Sequence, residues 1–101
     1  MFASIRIYRG VTSVPEILQR VEAGFVPILK GTTGFRGWQV IDPSGGQLVS
    51  ISMFDRADEA VASNALAESW IRDNIAALLP EAPDIVTGQV VRSATLASGL
   101  R

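Results

Sequence analysis

The chain has 101 residues and a mass of 10.8 kDa, the size of one domain built around a single hydrophobic core. It contains no cysteine and no histidine, which excludes disulfides, thiolate-bound zinc, iron–sulfur clusters, imidazole catalysis and haem ligation through histidine. Nine basic residues against ten acidic ones give no electrostatic footprint for nucleic acid or an anionic membrane, so we expect neither as a partner.

The first ten residues predict a β-strand and not a targeting segment. Residues 3–9 alternate polar and apolar side chains, as in a strand covered on one face. They lack the basic start and apolar core of a signal peptide. No apolar run in the chain approaches the roughly 20 residues that span a bilayer. We therefore expect a cytoplasmic protein.

The next segment predicts a helix that is interrupted. Ser13 and Glu16 have the spacing of a capping box, so the helix is expected to start near Val14. Pro27 lacks a backbone N–H and disfavours a helical conformation of the residue before it. The helix should therefore end or kink there, with a short further turn continuing the apolar cover.

The remaining chain predicts two paired strands, a long helix and a last strand. Residues 35–42 and 47–54 are rich in β-favouring side chains and flank a turn of Pro, Ser and Gly, so they should pair antiparallel. Asp55 is expected to cap a helix that runs to about Leu79. Residues 84–95 predict the fourth strand.

The order β-α-β-β-α-β predicts an α+β, ferredoxin-like fold, an antiparallel four-stranded sheet with two helices on one face. The opposite face of the sheet is expected to be apolar too. It would carry Tyr8 and, by alternation, several of Trp38, Val40, Leu48, Phe54, Val86 and Val90. A face this apolar is unsuited to water, so we expect a homodimer that packs one sheet face against the other.

Short motifs along the chain resemble a known family. The run 34–38 (GFRGW) leads into the second strand, the run 50–54 (SISMF) precedes the long helix, and Trp70 lies near the end of that helix. These are similar to motifs of the dimeric α/β-barrel superfamily, and within it of the antibiotic-biosynthesis-monooxygenase type. The resemblance spans nearly the whole chain and implies a dimeric, ferredoxin-like α/β barrel.

The resemblance does not select one activity. Known members include cofactor-free oxygenases of aromatic quinols, haem-degrading enzymes, isomerases and small stress-responsive proteins, and a fold alone does not choose among them. In the quinol oxygenases, asparagine and tryptophan side chains of the long helix contribute to the substrate pocket. Asn64 and Trp70 are the nearest matches in this sequence.

Two polar residues of the long helix are the candidate catalytic residues. Asn64 and Glu68 lie one turn apart within an arc of apolar residues predicted to face the sheet: Ala57, Ala60, Val61, Ala67, Ile71, Ile75, Leu78 and Leu79. A buried polar group without a partner costs about 1–3 kcal/mol, so both must find hydrogen bonds, water or a ligand. Either they line a cavity, the amide holding a substrate oxygen and the carboxylate taking a phenolic proton, or they form a structural pair with strand hydroxyls such as Ser50 or Ser52. Glu68 could also reach solvent at the edge of the arc.

Aromatic and basic side chains are the candidates for substrate binding: Trp70, Tyr8, Arg92 and Trp38. Trp70 either walls an aromatic pocket or seals the edge of the core or the dimer. Tyr8 shares one side of the first strand with Arg6, and an arginine and a tyrosine together can hold a quinol oxyanion. Alternatively, the arginines form salt bridges across the dimer with Asp42 or Asp84.

Two functions remain open on these residues. The first is a cofactor-independent monooxygenase acting on a small quinol-like aromatic, whose own carbanion reduces oxygen. The second is a non-catalytic dimeric module that binds a small ligand or has a stress-associated role. The acidic residues at the start of the long helix are explained by the helix dipole, and no phosphate-binding motif is present, so we expect no metal and no cofactor. A ring-sized cavity beside Asn64 and Glu68 would favour the enzyme.

Overall fold

The computed structural model describes residues 1–96 and has the predicted order of elements. The elements are β1 (Phe2–Tyr8), α1 (Val14–Arg20), a π-helical turn (Val21–Phe25), α2 (Val26–Lys30), β2 (Phe35–Ile41), β3 (Leu48–Phe54), α3 (Ala57–Asn74) and β4 (Asp84–Gln89). The strands form one antiparallel sheet in the order β2-β3-β1-β4, and the helices cover one of its faces. The ferredoxin-like α+β fold is therefore confirmed. No helix in residues 1–96 is long and apolar enough to cross a membrane.

The two faces of the sheet are the reverse of those predicted. Ser4, Arg6 and Tyr8 of β1 are buried beneath the helices. Five residues predicted for the opposite face lie on this helix-covered side as well: Tyr8, Trp38, Val40, Leu48 and Phe54. Alternation along a strand separates two sets of side chains but does not say which set meets the helices, and both sets here are apolar enough to be covered.

The opposite side, called here the outer face, is apolar and carries no helix. Its members follow from the strand register: Ala3, Ile5, Ile7, Gly37, Gln39, Ile41, Val49, Ile51, Met53, Asp84, Val86 and Gly88, of which Asp84, at the edge beside Ile7, carries a charge. Ile41 and Val86 are 51% and 59% exposed. The prediction of a second apolar face is thus met by a different set of residues, of which only Val86 was predicted.

Two clusters of buried side chains form the core between the helices and the sheet. One joins α1 to β1 and β3 and includes Ile17, Tyr8 and Leu48. The other joins the π-helical turn to β3 and α3 and includes Phe25 and Phe54. Val21 and Trp70 pack against both clusters, so the helix that carries Trp70 closes the gap between them.

The predicted break in the first helix takes the form of the π-helical turn. The turn ends at Phe25, and Pro27 lies in the first turn of α2, where a missing N–H leaves no helical hydrogen bond unmade. The predicted capping box at Ser13 is wrong in one respect. Ser13 is the N-cap of α1, but its side chain makes no capping hydrogen bond.

Three predicted boundaries differ from those observed. Arg56 and not Asp55 is the N-cap of α3, because the Asp55 carboxylate accepts two hydrogen bonds from Arg36, at 2.6 and 3.0 Å. This ion pair lowers the pKa of Asp55 below its ordinary value. The helix ends at Asn74, before the predicted Leu79, and β4 ends at Gln89 and not at residue 95.

Candidate functional site

A network of polar side chains lies on the helix-covered side of the sheet. Asn64 of α3 accepts hydrogen bonds at Oδ1 from Ser4 Oγ, at 2.5 Å, and from Arg6 Nη1, at 3.0 Å. Its Nδ2 donates to Thr87 Oγ1 of β4 at 3.2 Å. One amide therefore joins α3 to both β1 and β4. These hydrogen bonds stabilise the fold, because an amide left unpaired at this half-buried position would be costly.

Arg6 is the charged member of this network and is almost completely buried, with 2% of its surface exposed. Besides Asn64, its guanidinium donates from Nη2 to Ser50 Oγ at 3.3 Å and to Ser52 Oγ at 3.2 Å. Its Nε is buried and has no hydrogen-bond partner among residues 1–96. No ion pair formed within those residues includes Arg6. Burial lowers the pKa of this guanidinium, as expected for a cation surrounded by neutral groups.

Tyr8 follows Arg6 on the same side of β1 and is 6% exposed. Burial raises the pKa of its phenol above the ordinary value of 10.0, and the neighbouring Arg6 charge offsets part of that rise. The hydroxyl is therefore protonated at neutral pH. It is available to donate a hydrogen bond or a proton to a bound group.

Two cavities meet at Arg6 and Tyr8. The first is a pocket of about 50 Å³ under α1 and the π-helical turn, walled by Trp38 and Trp70 among other apolar side chains. The second is a groove of about 480 Å³ between α3 and residues 76–83, with Asn64 on its wall. The pocket has room for a few water molecules, whereas the groove falls in the size range of ordinary ligand sites.

Trp70 is positioned by the π-helical turn. Its ring packs against Phe25 with centroids 5.6 Å apart and a 44° angle between the planes. Gly24 allows this approach, because a Cβ at that position would lie 2.8 Å from Cζ2 of Trp70. The π-helical turn, with Gly24, therefore packs closely against the Trp70 ring and fixes its position in the wall of the pocket.

Most of the predicted site residues line the two cavities. Tyr8 lines both, Asn64 lines the groove, and Trp38 and Trp70 line the pocket. Glu68 lines the groove but is exposed and does not bond to Asn64, so of the two positions considered for it, the one that reaches solvent is observed.

The structure does not bring Arg92 to the site. It lies beyond the end of β4, is exposed, and donates from Nη1 to the Val91 carbonyl at 2.6 Å. The predicted pairing of Arg6 or Arg92 with Asp84 is also not seen in residues 1–96, where Asp84 pairs with Arg9. Arg92 would be outside the site even in a longer β4, because the register places the alternate residues Val86 and Gly88, whose series Arg92 continues, on the outer face.

Sequence reasoning missed the polar row that surrounds Arg6. Ser4 and Arg6 alternate on β1, and Ser50 and Ser52 alternate on the adjacent β3, so four polar side chains share one buried face. The signal was a row of small hydroxyls beside a charge in two otherwise apolar strands. Within residues 1–96, no group of three acidic side chains is arranged to hold a metal ion.

Comparison with solved structures identifies proteins of the same fold. The chain resembles NE2512, a protein of unknown function from Nitrosomonas europaea, at 17% identity and a TM-score of 0.72, over 97% of this chain and 95% of that one. It resembles the monooxygenase ActVA-Orf6 of Streptomyces coelicolor, solved with nanaomycin D, at 15% identity and 0.69, over 96% and 92%.

A third similar structure is that of an MhuD mutant with two manganese protoporphyrin IX molecules per active site, at 15% identity and a TM-score of 0.70, over 94% of this chain and 99% of that one. The sequence matches no protein-family profile and no curated protein. The resemblance in fold to antibiotic-biosynthesis-monooxygenase-type proteins, indicated by the short motifs, is therefore confirmed. At these identities the similarity concerns the fold alone.

Proposed function

We propose that this protein is a cofactor-independent monooxygenase acting on a small quinol-like aromatic. The observation that carries the proposal is the meeting of an aromatic-walled pocket and a ligand-sized groove at Arg6 and Tyr8, with the Asn64 amide at the same place. Apolar walls suit the rings of such a substrate, and convergent polar groups suit its oxygen atoms. The monooxygenase among the structures of this fold supports the same reaction class.

In this reaction the deprotonated substrate is itself the reductant. Glu68 on the groove wall takes the first proton, and Arg6 and Tyr8 hold the resulting oxyanion. The substrate carbanion gives an electron to O₂, and the two radicals join in a carbon–oxygen bond to form a peroxide. The O–O bond then breaks as the remaining C–H proton leaves, so a methylene carbon and O₂ become a carbonyl and water.

The residues of this site do not fit a haem. The chain has no histidine or cysteine to ligate iron, and its single tyrosine, Tyr8, is buried and held in the protonated form. The pocket behind it, of about 50 Å³, is also far smaller than a porphyrin. We therefore derive no haem chemistry for this chain.

The small size of the enclosed pocket favours a second function, a ligand-binding module without catalysis. At about 50 Å³ the pocket admits only part of an aromatic ring unless α1 moves. A module of this kind would bind its ligand in the groove and release it unchanged. The two functions differ in oxygen consumption, which provides the test.

The test is an oxygen-electrode assay with anthrone, whose methylene carbon is the one that the reaction oxidises. Wild type should consume one O₂ per anthrone and form anthraquinone and water, and Glu68→Gln should lower the rate by about 100-fold, as for loss of a general base. Because Glu68 is exposed, its substitution should change the free energy of unfolding by less than about 0.5 kcal/mol.

Asn64→Ala should also abolish turnover, but it breaks the network and should cost about 1–3 kcal/mol of stability. Asp73→Asn, at an exposed position of the same helix, is the matched control and should retain full activity. Absence of oxygen consumption by the wild type with any quinol would leave the binding module as the function.

The functional unit we propose is a homodimer joined through the outer face. Isoleucine, valine and methionine side chains line this sheet face, and Ile41 and Val86 are more than half exposed, which favours an interaction surface. A second copy offers the same surface and buries it by sheet-to-sheet packing. The cavities lie on the other side of the sheet, so this assembly leaves the groove open to ligand.

A further inference from the structure

We propose that the site takes its ligand as an aromatic monoanion whose charged oxygen pairs with the buried guanidinium of Arg6. This inference rests on the site of the proposed function, but it concerns the charge of the ligand and not the chemistry done on it. The shared ligand chemistry is an aromatic body carrying one oxyanion, either a phenolate or a carboxylate.

The buried positive charge of Arg6 has no negative charge bonded to it among residues 1–96. Arg6 is 2% exposed, and none of its hydrogen-bond partners, Asn64, Ser50 and Ser52, carries a charge. Its Nε has no partner at all among residues 1–96. Buried charges in proteins are normally paired, and an orphaned buried donor is rare enough to require a reason. An anion that binds beside Arg6 supplies the missing charge.

No acidic side chain that lines the cavities supplies a buried counter-charge for Arg6. The charged side chains that line the groove besides Arg6 are Glu68 and Arg72 of α3 and Glu81 of the segment that follows it. All three are exposed to solvent, where water and salt screen their charges. The pocket side contributes no other charged residue. The guanidinium is thus the one buried charge at the junction of the cavities within residues 1–96.

The space beside Arg6 suits an aromatic ligand. Arg6 and Tyr8 belong to the walls of both cavities, and the groove, at about 480 Å³, has room for an aromatic body. The pocket, at about 50 Å³, admits only the edge of a ring, which would lie against Trp38 and Trp70. The Tyr8 hydroxyl, protonated at neutral pH, can donate to the same oxyanion.

The experiment measures the binding of two size-matched probes, 2-naphthoate and the neutral 2-naphthamide, by calorimetry and by quenching of Trp38 and Trp70. These are the only tryptophans of the chain, and both line the pocket, so their fluorescence reports its occupation. Wild type should bind naphthoate at least tenfold more tightly than naphthamide. A second arm uses 4-nitrophenol, whose phenolate absorbs visible light. If the phenolate is the preferred form, binding lowers the apparent pKa of the phenol by about one unit, a tenfold preference.

Two variants act on the Arg6 charge in different ways. Arg6→Met removes the cation, and Asn64→Asp places a carboxylate where the Asn64 oxygen now accepts a bond from Arg6 at 3.0 Å. Each should abolish the preference for naphthoate over naphthamide. Asn64→Asp should also raise the melting temperature, because it supplies the missing counter-charge. Asn64→Asp therefore still tests the inference if Arg6→Met fails to fold.

The control is Lys30→Met, which removes an exposed cation that lines neither cavity and should leave naphthoate affinity within about twofold of wild type. Equal affinity of wild type for naphthoate and naphthamide, failure to bind either anion, or an undiminished preference in Asn64→Asp would overturn the inference. Anion binding without oxygen consumption would refute the oxygenase alone. Oxygen consumption that survives Arg6→Met would refute the anion site alone.

Discussion

At the scale of single residues, the site is a small group of polar side chains surrounded by apolar ones. Arg6 bonds to Asn64 and its charge acts on Tyr8, so Arg6 links the other two side chains. Apolar side chains of similar volume often replace buried polar groups without loss of stability, so the fold alone does not explain this group. Its presence therefore supports a functional role for these three residues.

The ionisation of Tyr8 tests this arrangement directly. Tyr8 is the only tyrosine of the chain, so the tyrosinate absorbance reports its pKa without assignment. Because burial raises the folded-state pKa above 10.0, the unfolded chain loses this proton first, and stability should fall as pH rises above about 10. Removing the Arg6 charge in Arg6→Met should raise the Tyr8 pKa further. A spectrophotometric titration, with circular dichroism to show that the protein is folded, measures both midpoints. A wild-type midpoint below 10, or a lower one in Arg6→Met, would contradict this account.

At the scale of elements, the sequence predicted which segments are helix or strand better than where they end. The long helix and the paired strands were found because they have a clear period and a turn between them. The fourth strand was drawn too long because Val90 and Val91 favour β-structure, whereas pairing with β1 ends at Gln89. Propensity is local, but the end of a strand is set by the length of its partner.

The site shows the same limit. Asn64 was placed correctly because a polar residue in an apolar helical arc is visible in the sequence. The position of Glu68, one turn later, stayed open between the core and solvent, because a helical wheel does not show where the edge of the sheet lies. Arg6 was noted as a possible oxyanion holder, but its lack of a counter-charge depends on which face of the sheet the helices cover. That choice is made by tertiary packing.

The π-helical turn is the element whose fit to the pocket can be tested. Gly24→Ala favours helix by propensity, yet the added Cβ would lie 2.8 Å from Trp70. Overpacking should dominate and destabilise the protein by about 1–3 kcal/mol, with a shift in tryptophan emission. Gly31→Ala is the control, because its Cβ would make only an ordinary 3.5 Å contact with the Ile28 carbonyl oxygen. Urea unfolding of the two variants compares them. Equal stability would mean that the turn yields freely and does not fix the pocket wall.

At the scale of the whole molecule, the sheet separates two surfaces with different tasks. The helix-covered side holds the polar network and the cavities, and the centre of the outer face holds apolar and small side chains, with Gln39 on β2 and Asp84 at the β4 edge as its polar members. An apolar sheet face of this composition suits contact with another protein surface. A second copy of the chain offers the same surface, and two such faces can pack against each other.

The assembly is tested with one substitution at the centre of this face and one on a helix. Wild type should sediment as a dimer with an interface well above about 1,000 Å². Ile51→Asp places a charge on β3, between β1 and β2, and should shift the protein to monomer while its helical circular dichroism is retained. Val61→Asp, on a solvent-facing position of α3 that is 57% exposed, carries the same added charge and should remain dimeric. A monomeric wild type would refute the dimer, and dissociation in both variants would show that net charge, and not the outer face, controls association.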